Sequence, residues 1–175
     1  MKSNRTLILN TLLIVIFYSC TPENPTPTIG QSYQGGKIAY IDASGLHGLI
    51  AAPSDQGQAP WGCMGTAIAG ADGTAIGTGS QNTIDIMTGC SEASIAARLC
   101  GDLVLGGYSD WYLPSKDELN KLYPNRVAIG GFANSYYWSS TESHNSLADI
   151  QEFYDGLHNY GNKDGYLPVR AVRSF

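Results

Sequence analysis

The chain has 175 residues, a net charge of −5 and only 14% charged residues, together with 21 glycines and 11 tyrosines. This composition excludes a disordered acidic tail, because such tails combine high charge with few aromatic side chains. It excludes nucleic acid as the main partner, since phosphate binding requires clustered Lys and Arg side chains. The glycines follow no three-residue period, which excludes collagen. The length and composition predict one loop-rich globular domain with appendages.

Residues 1–20 have the features of a bacterial lipoprotein signal peptide. Lys2 and Arg5 precede an apolar stretch at residues 7–18, which is too short to favour spanning a bilayer. The stretch ends at Ser19 and Cys20, and a cysteine after a small residue is the lipid acceptor in such proteins. We therefore expect cleavage before Cys20 and lipidation of its thiol; an ordinary signal peptide is the alternative. Several acyl chains on one residue would anchor the protein stably in the cell envelope, at the outer membrane or cell surface.

Residues 21–32 predict a tether, and residues 33–175 a single domain. Pro22, Pro25 and Pro27 alternate with Thr, Glu and Asn, a composition typical of an extended, semi-rigid linker. Export would place the domain in a compartment where cysteines can be oxidised. The membrane would be contacted through the lipid anchor alone.

The first half of the domain predicts a hairpin followed by a long loop. Residues 37–42 and 47–53 are short apolar runs around Ala43-Ser44-Gly45, which is a hairpin pattern. Residues 62–89 are rich in Gly, Thr and Ala, and predict a loop with a short helix near residues 82–87. Residues 91–104 have apolar side chains at helical spacing and predict the first of two main helices.

The cysteines within the domain are Cys63, Cys90 and Cys100, and their odd number leaves one without a partner in the chain. A helix from Cys90 to Cys100 would separate them by roughly 15 Å, too far for a disulfide. We therefore expect a Cys63–Cys90 disulfide and a buried, free Cys100. Pairing of Cys63 with Cys100 is the alternative.

The second half predicts another helix and three strands. Ser115 and Glu118 form a capping box, and a helix follows to about residue 123, where Pro124 ends it. Strands are predicted at residues 136–141, 148–154 and 168–175, with a turn-rich connection over residues 155–165. Strands at both ends with helices between them indicate an α+β fold, with the N- and C-terminal strands paired in one small antiparallel sheet.

Several segments together resemble a known domain family. They are residues 107–119 (GYSDWYLPSKDEL), 137–142 (YWSSTE) and 168–173 (PVRAVR), with the opening segments 35–42 and 47–52. The combination resembles the family of unknown function named for the C-terminal domain of the Legionella collagen-like adhesin. It is also similar to the Fibrobacter major paralogous domain. The resemblance implies a C-type-lectin-like fold related to formylglycine-generating-enzyme-like domains, and a secreted or surface-anchored bacterial protein such as an adhesin.

The residues of these motifs are interpreted as scaffold. They are Asp110, Trp111, Pro114, Ser115, Glu118, Trp138, Arg170 and Arg173. The tryptophans should join sheet to helix, and Asp110 should cap a turn. Arg170 and Arg173 should face opposite sides of one strand, one buried in an ion pair with Glu118 or Asp117 and the other facing solvent.

The predicted working surface is the stretch from residue 142 to residue 166. Tyr, Asn, His and Ser are typical of adaptable recognition loops, and tyrosine rings stack on sugars; the alternative is that they only form turns. The candidate ligand-binding residues are Glu142, His144, Asn145, Tyr154, Asp155, His158, Asn159, Tyr160, Asn162 and Tyr166. No cofactor or metal site is predicted, although calcium could bind among Glu142, Asp149, Glu152, Asp155 and Asp164. The tripeptides through which C-type lectins bind calcium are missing.

These observations favour a lipid-anchored, adhesin-like domain that binds an extracellular glycan or protein receptor. The alternative is a structural subunit of a surface appendage or matrix. An enzyme is least favoured, because the common catalytic motifs are missing. No cysteine follows Cys100, so the paired-cysteine chemistry of formylglycine-generating enzymes is not expected. The oligomeric state is left open.

Overall fold

The computed structural model describes residues 26–175, so the predicted signal peptide, Cys20 and the first part of the tether lie outside the described residues. Three antiparallel sheets and three α-helices make up this region, which confirms an α+β fold. The strands are β1 Ser32–Tyr33, β2 Gly36–Ile41, β3 Gly48–Ala51, β4 Gly57–Ala59, β5 Tyr136–His144, β6 Leu147–Glu152, β7 His158–Asn162, β8 Leu167–Val169 and β9 Val172–Ser174. The helices are α1 Gly79–Gly89, α2 Ala96–Gly101 and α3 Lys116–Ile129. No helix within residues 26–175 is both long enough and apolar enough to cross a membrane.

The two ends of the domain share one sheet, with strand order β1-β2-β3-β9. The predicted hairpin is β2–β3, in which Ile41 lies opposite Gly48. The C-terminal strand β9 pairs with β3, where Arg173 lies opposite Ile50, while β1 pairs with β2 at the far edge. The prediction that the chain ends meet in one sheet is confirmed, although β1 and β9 are not direct neighbours.

The predicted C-terminal strand at residues 168–175 is wrong as one element. It consists of β8, which pairs with β4, and β9, which pairs with β3. The chain changes sheets at Arg170 and Ala171, where the Arg170 side chain turns into the interior and is fully buried. A continuous strand could not supply partners to two sheets while burying this charge.

The third sheet has the order β5-β6-β7 and contains a strand that the sequence did not predict. β7 lies inside the predicted turn-rich connection at residues 155–165. Turns remain only at the two ends of that segment, where the Leu157 N–H donates to Asp155 Oδ1 at 3.0 Å and the Gly165 N–H donates to Asn162 O at 2.8 Å. Gly161 lies against Trp138, and an added Cβ would come within 2.7 Å of the indole ring. Pairing with β6 therefore overrides the weak strand propensity of His, Asn and Gly.

The helices differ in number and length from the prediction of two main helices. α1 extends well beyond the short helix predicted at residues 82–87. α2 is much shorter than the helix predicted at residues 91–104, because Ser94 has a left-handed backbone (φ 57°) and Ile95 is extended. These two residues start the helix late, so its first turn begins only at Ala96.

α3 begins at the predicted capping box but continues through Pro124, so its predicted end near residue 123 is wrong. A proline inside a helix removes one backbone hydrogen bond and costs about 3 kcal/mol. Leu119, Leu122 and Ile129 are buried on both sides of the proline, in a core that includes Phe153. Their burial is worth about 1.5–3 kcal/mol each and outweighs the defect.

Replacing Pro124 with Ala should therefore stabilise the domain. Ala restores the hydrogen bond and removes the ring clash, while the unfolded chain gains some entropy. We expect the free energy of unfolding to rise by about 1–2 kcal/mol, measured by urea denaturation. No change or a loss would show that the proline fits this helix without strain.

Each buried tryptophan has a hydrogen-bond acceptor for its indole N–H. Trp61 donates to Ser139 O at 3.0 Å, Trp138 to Ala59 O at 2.9 Å and Trp111 to Leu105 O at 3.3 Å. The Trp61 and Trp138 bonds join β5 to the loop after β4 and to β4, and all three indole rings belong to the larger of the two cores. They allow large side chains to be buried without an unpaired polar group.

The predicted Cys63–Cys90 disulfide is confirmed, with Cα atoms 5.8 Å apart. It joins the start of the loop before α1 to the residue that ends α1. Cys100 is buried and free, and burial raises the pKa of its thiol. The alternative pairing of Cys63 with Cys100 is thereby excluded.

The predicted partners of the two arginines are wrong, because both arginines are buried and neither pairs with Glu118 or Asp117. Arg170 Nε donates to Asp55 Oδ1 at 2.7 Å, and its remaining donors reach backbone carbonyls. Arg173 pairs with both oxygens of Asp110 at 2.7 and 2.8 Å, and this pairing lowers the pKa of that carboxyl group. Glu118 instead accepts hydrogen bonds from the N–H groups of Gly77 and Ser115 and from the Tyr112 hydroxyl group.

Replacing Arg170 with Ala should lower the free energy of unfolding by about 3–5 kcal/mol, because the half-buried Asp55 carboxylate and several backbone carbonyls lose their donor and the core loses a fully buried side chain. Urea denaturation of residues 21–175 measures this loss; that chain keeps every described strand and helix, both cores and the disulfide. Arg126→Ala is the matched control. Its side chain is half-buried and donates to Tyr123 O, so its loss should stay below about 1.5 kcal/mol. Equal losses in the two variants would contradict the role given to Arg170.

Candidate functional site

The predicted ligand-binding residues do not gather at one place. Glu142 is held in the framework: both of its carboxylate oxygens accept the Ile68 N–H at 3.0 Å, and it forms an ion pair with Lys163. The Lys163 side chain is fully buried. This pair fixes the loop before α1 to β5, which is a structural role.

His144 and Asn145 lie at the turn between β5 and β6. The Gly65 N–H donates to Asn145 O at 2.9 Å, and the Ser146 N–H donates to His144 Nδ1 at 3.2 Å. Tyr166 lines a cleft of about 240 Å³ together with Met64 and Lys163. The β5–β6 turn and this cleft are joined through the bond between Asn145 and Gly65, the residue after Met64.

Tyr154 and Asp155 lie in the turn between β6 and β7. The Tyr123 hydroxyl group donates to Tyr154 O at 3.4 Å, while the Tyr154 ring is 71% exposed. Asp155 is used by the turn, as described above. The turn is held against α3, and its tyrosine ring points away from the core.

The side chains of β7 alternate between two faces. Asn159 lies opposite Ile150, on the face that packs onto Trp138. His158, Tyr160 and Asn162 lie on the other face, opposite Gln151, Asp149 and Leu147 respectively. This second face is turned towards the start of α3.

Four side chains meet there, and we call them the Tyr160 cluster: Lys116, Asp149, His158 and Tyr160. Lys116 Nζ lies 2.8 Å from Asp149 Oδ1 and 6.0 Å from the centre of the Tyr160 ring. Lys116 is the first residue of α3, so the capping box at Ser115 places it. Asp149 is buried in β6, while Tyr160 in β7 is 54% exposed.

The electrostatics of the cluster follow from these contacts. The hydrogen bond from Lys116 to Asp149 raises the pKa of the lysine. Burial, followed by the nearby positive charge of Lys116, lowers the pKa of His158. His158 is therefore neutral at pH 7 and can both donate and accept a hydrogen bond. The cluster presents an aromatic face beside a fixed ammonium group and a neutral imidazole.

Hydrogen bonds of a neighbouring side chain, Gln151, connect the strands of the Tyr160 cluster to α3. Gln151 Nε2 donates to Asn120 Oδ1 at 2.8 Å and to Gly156 O at 3.1 Å. These bonds join β6 to α3 and to the turn before β7. The groups that position Tyr160 therefore lie on rigid elements on both sides.

The candidate calcium ligands are not brought together. Glu142 and Asp149 are paired with Lys163 and Lys116. Within residues 26–175 the one group of three close metal-type ligands is Cys63, Cys90 and Glu92, and its cysteines are joined in the disulfide. Glu142 and Asp149 thus serve ion pairs, and Asp155 serves a turn.

Two larger clefts lie beside the four-stranded sheet. One, of about 420 Å³, is lined by Tyr40, Asp42, His47, Glu118 and Phe175, among others. The other, of about 570 Å³, includes Tyr33 and Leu46. Neither is lined by a residue of the Tyr160 cluster, so the surface predicted from the sequence is a shallow one.

Comparison with known proteins gives the family. The sequence model of one protein family, the Lcl C-terminal domain, matches residues 67–173, which is more than half of the chain. The chain belongs to the Lcl C-terminal domain family. This confirms the resemblance found in the sequence motifs. No curated protein matches the chain.

In this Lcl C-terminal domain the matched region contains all three helices and β5 to β8, and therefore the whole Tyr160 cluster. The sequence identified Tyr160 and His158 but missed Lys116, and considered Asp149 only for calcium. A signal was present: Asp149 and Gln151 alternate along β6, as His158 and Tyr160 do along β7. A predicted strand at residues 158–162 would have placed these side chains on one face.

The stability of the Lcl C-terminal domain should fall as the pH decreases through His158 titration. The folded-state pKa lies below the ordinary value of 6.5, so the folded protein binds this proton less strongly than the unfolded chain. The contribution of neutral His158 to the free energy of unfolding is fully present above pH 6.5 and is lost as the pH falls below that value. His158→Gln should remove this part of the pH dependence.

Thermal denaturation of the wild type and His158→Gln, compared between pH 8 and pH 5, measures the effect. His47→Gln is the control, because His47 is an exposed histidine outside the cluster. A pH profile that is identical in the wild type and His158→Gln would contradict the environment assigned to His158.

Proposed function

We propose that this protein is a cell-envelope lipoprotein whose C-type-lectin-like domain binds an extracellular glycan, as an adhesin-like, non-catalytic module. In this proposal Cys20 carries the lipid, and the Pro-rich segment separates the membrane from the domain. The observation that carries the glycan assignment is the Tyr160 ring, half-exposed on a rigid sheet and flanked by fixed polar groups.

The ring supplies the apolar part of the recognition. A tyrosine face stacks on the C–H face of a sugar ring, and Tyr160 is exposed enough to do so. The Lys116 ammonium group near the ring favours a fixed orientation. A ring that is ordered before binding loses little entropy when the ligand arrives.

The neighbouring groups supply hydrogen bonds of the kind that sugar hydroxyls need. His158 offers a donor and an acceptor, and the Lys116 side chain, which carries three N–H donors, is 30% exposed. Because Asp149 offsets the charge of Lys116, the cluster has no uncompensated cation to attract sulfate or carboxylate groups. Neutral saccharides are therefore the ligand class that we propose.

The framework fits a binding role. Strands β6 and β7 and helix α3 hold the cluster through Asp149, Gln151 and Asn120. Sites built on strands and helices keep their geometry more precisely than sites on loops. The Glu142–Lys163 and Arg170–Asp55 pairs belong to the framework, and no reaction is proposed for them.

A glycan-array screen of residues 21–175 tests this proposal. We expect binding to neutral saccharides, lost at least about tenfold in Tyr160→Ala because stacking on an aromatic ring contributes about 1–3 kcal/mol. Tyr160→Phe should retain most of the binding, since it keeps the ring. Tyr166→Ala is the matched control: it removes another exposed tyrosine, 70% exposed against 54% for Tyr160, from another part of the surface.

The screen is run with and without calcium, and equal binding in both is expected because Asp149 is already paired with Lys116. Binding that requires calcium would overturn the assigned mode. Absence of binding by a protein shown to be folded would overturn the glycan assignment. A protein receptor would then be the ligand class to test.

A further inference from the structure

We propose that the free edge of β7 pairs with β7 of a second copy of this chain, antiparallel and about a two-fold axis. This goes beyond the proposed function, since it concerns the backbone edge of the strand and not the ring of Tyr160. The result would be one continuous sheet formed from the β5-β6-β7 sheets of two copies.

The other sheet edges in the described region are covered or very short. The outer side of β9 is bonded to Tyr112, through N–H groups donated in both directions. The outer side of β5 is covered because Ser140 N–H donates to Pro114 O, and Glu142 N–H to Ala71 O, both at 2.7 Å. β1 has two residues, and β4 and β8 have three each. β7, with five residues, is the exception.

β7 also lacks the features by which proteins protect such an edge. Natural edge strands are protected by Lys or other charged residues, by Pro, by bulges or by a covering loop. The sequence of β7 is HNYGN, with no proline and no Lys, Arg, Asp or Glu, and its pairing with β6 is regular. Its side chains are almost all exposed. The edge is therefore open to another strand.

The backbone groups that would pair can be identified. In an antiparallel ladder alternate residues direct both N–H and C=O to the same neighbour. The Tyr160 N–H donates to Asn159 Oδ1 at 2.8 Å and not to β6, so the Tyr160 backbone points outwards. His158 and Asn162 share this orientation by alternation. In the single chain Asn159 Oδ1 accepts the Tyr160 N–H, and a backbone carbonyl of the incoming strand would replace it as the acceptor.

The strand is compatible with a copy of itself. Pairing about Tyr160 places Tyr160 opposite Tyr160, His158 opposite Asn162, and Asn159 opposite Gly161 of the second copy. No like charges meet, and the small Gly161 leaves room for Asn159. The central pair exchanges two N–H···O=C bonds. This self-complementarity is what an isologous two-fold contact requires, and it favours a second copy over an unrelated strand.

Sedimentation equilibrium of residues 21–175 over a wide concentration range tests the proposal, and a monomer–dimer equilibrium is expected. Tyr160→Pro removes the outward N–H but no bond to β6, a position where an edge strand tolerates proline. It should raise the dimer dissociation constant about tenfold or more, because two intermolecular hydrogen bonds are lost. Tyr160→Ala, which keeps the N–H, should still dimerise, although it should lose glycan binding.

Asn159→Ala gives an independent test if the proline variant does not fold. It frees the Tyr160 N–H from its side-chain acceptor, so the dissociation constant should fall several-fold. A monomer at every concentration would overturn the proposal. So would a folded Tyr160→Pro variant that dimerises like the wild type. Either result would leave the glycan assignment unaffected, because that assignment is tested by Tyr160→Ala on the array.

Discussion

The buried guanidinium group of Arg170 is the interaction on which the architecture depends. It lies between the loop after β3, where it reaches Asp55 and Ala52 O, and the segment after α3, where it reaches Gly130 O and Gly131 O. The central carbon of this guanidinium group, Cζ, also lies 3.9 Å from the centre of the Phe132 ring. A buried charge must be fully hydrogen-bonded, and these partners come from distant parts of the chain. Strand β8 therefore ends before Arg170, and the C-terminal segment contributes β8 to one sheet and β9 to another.

The start of α3 links this framework to the candidate site. Ser115 and Glu118 form the capping box, and Glu118 also fixes Gly77 and Tyr112, so the first turn of the helix is held from several sides. Lys116 is thereby placed over β6 and β7, where it pairs with Asp149. The motif that resembles the family thus contains both the scaffold and one residue of the Tyr160 cluster. Its structural role and the proposed binding role depend on the same helix start.

Local signals account for the features that were predicted correctly. The capping box, the β2–β3 hairpin and the Cys63–Cys90 disulfide each depend on a few neighbouring residues or on a simple distance limit. The shared sheet of the two chain ends followed from the order of strands and helices. Two members of the Tyr160 cluster, Tyr160 and His158, were recognised by residue type alone. Their partners Lys116 and Asp149 were not, because the strand that brings them together was read as a turn.

The sequence by itself thus determined the α+β class, the family, the disulfide and the helix start, since each depends on short-range chemistry or on a motif. The tertiary structure decided those features in which long-range contacts outweigh the local preferences of the sequence. α3 continues through Pro124 because apolar burial on both sides exceeds the cost of one lost hydrogen bond. β7 forms because pairing with β6 and contact with Trp138 outweigh weak propensity. The partners of Arg170 lie far away in sequence, and only folding brings such groups within hydrogen-bond distance.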